Sequence, residues 1–289
     1  MSQYRTTGFS LLPPVVKNLL IINILLFIAT ETLASQFGYD LSYKLGLHWI
    51  GSDAFEPYQV ITYMFMHGSF EHIFFNMFAV WMFGSAIENT WGAKKFLTYY
   101  ILTGIGAAVL HYVIVYFQDI QPFLAFTDAF LADPSQDSLK AVFENVGDLS
   151  MYLRTETMLN LYNDAVPSLN KVIAGVGTQD DLEIAYNFMD VFRGYYLNLP
   201  NVVGASGSLF GILLAFGMLF PNVHLFLIFF PIPIKAKYFV AGYGLIELVS
   251  GLSNSPGDNV AHFAHLGGMI FGYFLIRFFG YGRTNFRQN

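Results

Sequence analysis

Long apolar stretches separated by short polar loops make up most of this chain. Six stand out, at about residues 15–34, 70–87, 96–117, 206–220, 238–252 and 260–279. A bilayer span takes roughly 20 apolar residues, and within lipid every backbone N–H and C=O needs an internal partner, so these segments predict membrane helices. The fourth and fifth are short for a span and count as spans because apolar residues continue on their flanks. In the first, the apolar core Leu19–Ile28 is interrupted only by Asn23.

The interval 118–200 reads differently. It carries 12 of the 20 acidic residues, and Leu149, Leu153, Leu159, Ile184, Phe188 and Phe192 recur at amphipathic-helix spacing. A structureless loop this long is uncommon, so the interval predicts a small helical extramembrane insertion, packed on the membrane part or lying at the interface. No internal repeat is apparent. The expected organisation is an N-terminal segment 1–14, helices one to three over 15–117, the acidic insertion 118–200, helices four to six over 201–280, and a tail 281–289.

Composition strengthens this picture. Hydrophobic residues make up 55% of the 289 positions and charged residues 12%, about half the charge of a soluble domain. There is no cysteine, which excludes disulfides, thiolate metal sites and a cysteine nucleophile. A net charge of −6 offers no basic surface for nucleic acid. The first segment has ingredients of a signal peptide: Lys17, an apolar run, and small residues within Thr32–Ser35. Its long leader and nearly membrane-length run predict a retained helix instead.

Basic residues set the expected orientation. With the N-terminus inside, Arg5, Lys17, Lys94, Lys95, Lys235, Lys237, Arg277, Arg283 and Arg287 are cytoplasmic, nine of 14. Of the others, Lys44 sits in an outer loop, while Lys140, Arg154, Lys171 and Arg193 fall in the long insertion, where the positive-inside rule is weak. Both termini are therefore expected in the cytoplasm.

Three polar clusters interrupt the apolar pattern: His67 to Asn76, Gly204-Ala205-Ser206-Gly207, and Ala261 to Gly268. Intramembrane polar groups are costly and mark function by default. In the expected topology all three lie at the outer ends of helices two, four and six. Ser206 opens helix four, where free N–H groups and the helix dipole suit a developing oxyanion; taken alone, it reads rather as a capping serine. His265 supplies the base a serine needs. Gly207 and Gly211 on helix four, and Gly268 and Gly272 on helix six, form small-residue faces that permit a close crossing. His72 and Asn76 share a helix face and are neutral donors, suited either to an oxyanion or to bonding between helices. A metal cluster of His67, His72, His262 and His265 lacks the spacing of a zinc motif. His262 supports His265. No acidic third member presents itself: Asp258 falls in a loop, and Glu247 reads as structural, bonded to a neighbouring helix.

His-x4-His-x3-Asn, Gly-x-Ser-Gly and Ala-His-x-x-Gly-x3-Gly, in that order, resemble the rhomboid proteases over the whole six-helix unit apart from the insertion. The resemblance implies an all-α, polytopic rhomboid-like bundle. It implies Ser206 as nucleophile, His265 as base, and an oxyanion hole from His72, Asn76 and the Ser206 N–H. Gly204 and Gly207 match the glycines flanking the nucleophile, and His67 a structural histidine. Glu88-x3-Gly92 fits the family pattern, whereas Tyr58-Gln59 stands where many members have Trp-Arg. The activity implied is cleavage of a peptide bond near the outer end of a membrane-protein substrate's span, in the bilayer of a bacterial plasma membrane, without cofactor or metal. The competing classes are a non-catalytic rhomboid-like protein that binds transmembrane clients, and a channel or transporter. Oligomeric state is not legible.

Overall fold

The computed structural model describes residues 9–227, 230–253 and 260–278. Arg5, Asp258, Arg283 and Arg287, most of the segment 1–14 and the tail 281–289 lie outside the described residues. The chain forms two compact units, Met1–Leu47 with Pro57–His111 and Val202–Asn289, and His48–Glu56 with Tyr112–Asn201.

The first unit is built on helices. Helix α1 (Pro14–Phe37) begins at a proline, which has no N–H to leave unpaired, and ends at Gly38 in the left-handed region (φ 63°). Helix α2 (Phe70–Trp91) starts behind Ser69, whose hydroxyl accepts from the His72 N–H, and contains a π-turn at Val80–Gly84. Helix α3 (Ala93–Val115) leads into a second π-turn, Tyr116–Ile120. By length and apolarity, α1, α2 and the helical run Ala93–Ala132 are each sufficient to cross a membrane.

Surface and core fit the bilayer as solvent. Leu25, Ile28, Phe75, Leu245 and Phe278 are more than half exposed, while Asn23, Asn76, Glu88, Thr103, Ser208, Glu247 and His265 are buried. That inversion is costly in water and natural in lipid. Buried polar atoms find local partners: the Asn23 amide donates to the Leu19 carbonyl and the Ser208 hydroxyl to the Tyr100 carbonyl.

Glu88 has a clear structural task. Its two carboxylate oxygens accept from the backbone N–H groups of Val15 (3.0 Å) and Val16 (2.8 Å), so a side chain near the end of α2 caps the start of α1. Gly92, four residues on, takes φ 81° and closes α2 with a bond to the Glu88 carbonyl. At Tyr58-Gln59, Gln59 is buried and its amide donates to the Lys44 carbonyl, holding the segment between α1 and α2 by a neutral side chain.

The second unit carries helices α4 (Gln121–Ala132), α5 (Gln136–Val146), α6 (Glu156–Ile173) and α7 (Gln179–Leu197). They enclose their own core of Phe123, Phe130, Leu139, Leu169, Phe188 and Phe192. Leu149 is buried there too, but Leu159 and Ile184, expected on the apolar face, are exposed. The inward stripe of α6 is Met158, Ala165, Leu169 and Val172, spaced seven, four and three apart, which turns Leu159 about 100° away from it. Asp181 closes the start of α7 in a capping box with Thr178.

Returning to the first unit, α8 (Ser206–Leu219), α9 (Ala236–Ser253) and α10 (His262–Phe278) complete the bundle. The apolar flank after α8 does not extend it. Residues His224–Leu227 pair antiparallel with Phe230–Lys235 in a hairpin, because Pro221, Pro231 and Pro233 cannot continue a helix.

Candidate active site

The three sequence clusters meet at the N-terminal ends of α2, α8 and α10. Ser206 is the first residue of α8, with Ala205 in the cap position. Its Oγ lies 2.8 Å from His265 Nε2, across 59 residues of sequence.

Close helix packing brings them together. Gly268 lies against Gly207, such that an added Cβ at Gly268 would collide with the Gly207 carbonyl. One turn on, a Cβ at Gly272 would sit 3.4 Å from the Gly211 Cα. The Gly211 carbonyl accepts from the Tyr99 hydroxyl at 2.8 Å, tying α3 into the same crossing. His265 is buried, and the Phe210 ring stacks on it at 4.2 Å and 7°. Stacking fixes the plane of the imidazole.

His72 stands on the other side of Ser206. A Cβ on Gly204 would lie 2.9 Å from His72 Nε2 and 3.4 Å from Ser206 Oγ, so the bare glycine is what lets these groups approach. Gly204 has φ 133°, a conformation that other residues rarely adopt, and its N–H donates to the Tyr63 carbonyl. The Gly68 N–H donates to His72 Nδ1 over a long 3.5 Å. An Nδ1 that accepts leaves the proton on Nε2, aimed toward Gly204. Asn76, one turn along α2, is buried on the same helix face. His67 is buried and packs edge-on against His72 at 4.9 Å.

Sequence reasoning missed one member. Glu247, on α9, is buried, and its Oε2 lies 2.8 Å from His265 Nδ1 and 2.6 Å from His262 Nδ1. It bonds a neighbouring helix, as expected, but the partner includes His265 itself, so the expectation that His265 has no acidic neighbour is corrected. A legible signal existed: an intramembrane carboxylate needs donors, and two imidazoles three positions apart stand in the next helix.

The ligating atoms of Glu247, His262 and His265 fall within 4.8 Å of one another. Two ligands on one tetrahedral zinc stand roughly 3.3 Å apart. The 2.6 and 2.8 Å contacts are shorter and fit shared protons better than a shared ion.

A family model described as the Rhomboid domain matches residues 54–125 and 184–282. No individual curated protein is similar enough to be matched to the chain.

Proposed function

The chain belongs to the rhomboid family and is an integral membrane protein, and from that premise we propose that it is an intramembrane serine protease whose nucleophile is Ser206 and whose general base is His265. The observation that carries this reading is the 2.8 Å contact between Ser206 Oγ and His265 Nε2. Serine is a weak nucleophile, and a base in hydrogen-bond reach is what activates it.

Nε2 accepts the Ser206 proton as Oγ attacks the scissile carbonyl carbon. The negative oxygen that forms is met by the Ser206 N–H at the start of α8, by the His72 Nε2–H and by the Asn76 amide. Collapse of this intermediate expels the amine, which takes its proton from His265 and leaves an acyl-serine. Water, activated by the same imidazole, then releases the acid. Neutral donors suit this depth, since they cost less to hold in lipid than Lys or Arg.

The expected partners are single-span or other membrane-protein substrates within the bilayer, cut near the outer end of a span. A substrate helix must open locally to expose a bond, which favours small or helix-destabilising residues at the cut. The distribution of Lys and Arg supports cytoplasmic termini and a site facing outward; the membrane we propose is a bacterial plasma membrane.

The test is proteolysis by purified protein reconstituted with a model single-span substrate. Wild type is expected to cleave, and Ser206→Ala and His265→Ala to lose cleavage. Cleavage retained by Ser206→Ala refutes the mechanism.

A further inference from the structure

The Ser206–His265 pair leaves the far side of the imidazole unexplained. There, Glu247 Oε2 lies 2.8 Å from His265 Nδ1, and Glu247 is only 4% exposed. Resting on the reading of Ser206 and His265 given above, we propose that Glu247 is the positioning residue of His265, so that α9, α10 and α8 together carry a carboxylate–imidazole–hydroxyl series.

For Nε2 to take the serine proton it must be bare, so the ring proton must sit on Nδ1. A carboxylate oxygen facing Nδ1 accepts that proton's hydrogen bond and disfavours the opposite tautomer. A residue with nothing to accept would leave the ring free to hold its proton on either nitrogen.

Orientation comes next. Phe210 stacks on the ring at 7° and so restrains its plane, but a stacked ring can still turn within that plane. Hydrogen bonds on both nitrogens, to Ser206 and to Glu247, remove that freedom. Charge comes last. Proton transfer turns His265 into an imidazolium in a water-poor setting, where a contacting anion offsets the cost far more than it does in water.

His262 completes the arrangement. Its Nδ1 shares the same Glu247 oxygen at 2.6 Å, one helical turn from His265. A second donor compensates part of the desolvation of a buried carboxylate and holds it in place between the two rings. This accounts for two histidines at 262 and 265 serving one acid.

The experiment uses the full chain in proteoliposomes with a model single-span substrate. It compares wild type, Glu247→Ala, Glu247→Gln, Glu247→Asp, Ser206→Ala and His265→Ala. For each, kcat and KM are measured together with the rate at which a fluorophosphonate labels Ser206 and the melting temperature. Glu247→Ala and Glu247→Gln are expected to lose about 10²- to 10⁴-fold in kcat with KM little changed. The labelling rate should fall with kcat, and Glu247→Asp should recover part of both. Should Glu247→Ala not fold, the isosteric Glu247→Gln decides. Wild-type kcat and labelling in Glu247→Gln, with at most a lowered melting temperature, would reduce Glu247 to a helix staple and overturn the proposal. That failure is distinct from failure of the underlying pair, which shows as cleavage surviving in Ser206→Ala or His265→Ala.

Discussion

Gly268 of α10 rests on the backbone of Gly207 in α8, and this contact sets the distance between Ser206 and His265. The helices approach here because neither residue has a side chain. A Cβ at Gly268 meets a carbonyl, which cannot swing aside as a flexible side chain can.

Gly268→Ala is therefore expected to push α10 from α8 and weaken stability and activity together. Overpacking costs about 1–3 kcal/mol, and a misplacement of about 1 Å between reacting groups costs on the order of 10²-fold in rate. Thermal melting and cleavage rate in one membrane preparation check both. Unchanged cleavage would mean the crossing tolerates the methyl group.

Gly204→Ala acts on the other flank. It introduces a Cβ 2.9 Å from His72 Nε2 and forces a non-glycine residue to φ 133°. His72→Ala removes the proposed donor directly, and loss of one oxyanion donor costs about 10²–10³ in kcat. If Gly204 serves to admit His72, the double variant loses little more than either single one, because both remove the same interaction. Steady-state kinetics of the four proteins reads this coupling.

Glu88→Ala separates stability from chemistry. It leaves the Val15 and Val16 N–H groups unpaired at the start of α1, each worth about 1–3 kcal/mol when buried. The melting temperature is expected to fall, while kcat well below melting stays near wild type. A selective loss of kcat would place Glu88 in the chemistry instead.

The second unit has an acid-sensitive cap. The Thr178 N–H, the Lys171 ammonium and the hydroxyls of Thr178 and Ser168 hold the Asp181 carboxyl well below the usual carboxylate range. A depressed folded pKa stabilises the fold above the unfolded value of about 3.9, and that contribution is lost as pH falls below it. Amide protection across α7, measured against the intrinsic exchange rate at each pH, is expected to fall on acidification below about pH 4. Asp181→Asn should flatten that response, and an identical response in the variant would assign the lability to another group.

Much of this site is legible in the sequence because membrane burial makes polar residues conspicuous. Ser206, His72, Asn76 and His265 stand out against apolar neighbours, and the four-residue glycine spacing of 207, 211, 268 and 272 indicates which helices cross. That Glu247 needs donors is legible, but which donors it meets is not, since that depends on the rotation of α9 about its own axis. The end of α8 is obscured for a related reason. Apolar residues after Leu219 look like more span until Pro221, Pro231 and Pro233 are weighed as helix stops. In the insertion, Leu159 and Ile184 show that apolar identity alone does not assign a face when α6 offers Met158 and Leu169, and α7 offers Ala185, Phe188 and Phe192, on better-aligned stripes.

The most direct measurement is to expose the reconstituted protein to a fluorophosphonate and map the adduct by peptide mass spectrometry. The account predicts one modified side chain, Ser206, at a rate that collapses in His265→Ala. Modification of a different residue, or labelling of Ser206 that proceeds equally fast without the His265 imidazole, would contradict it.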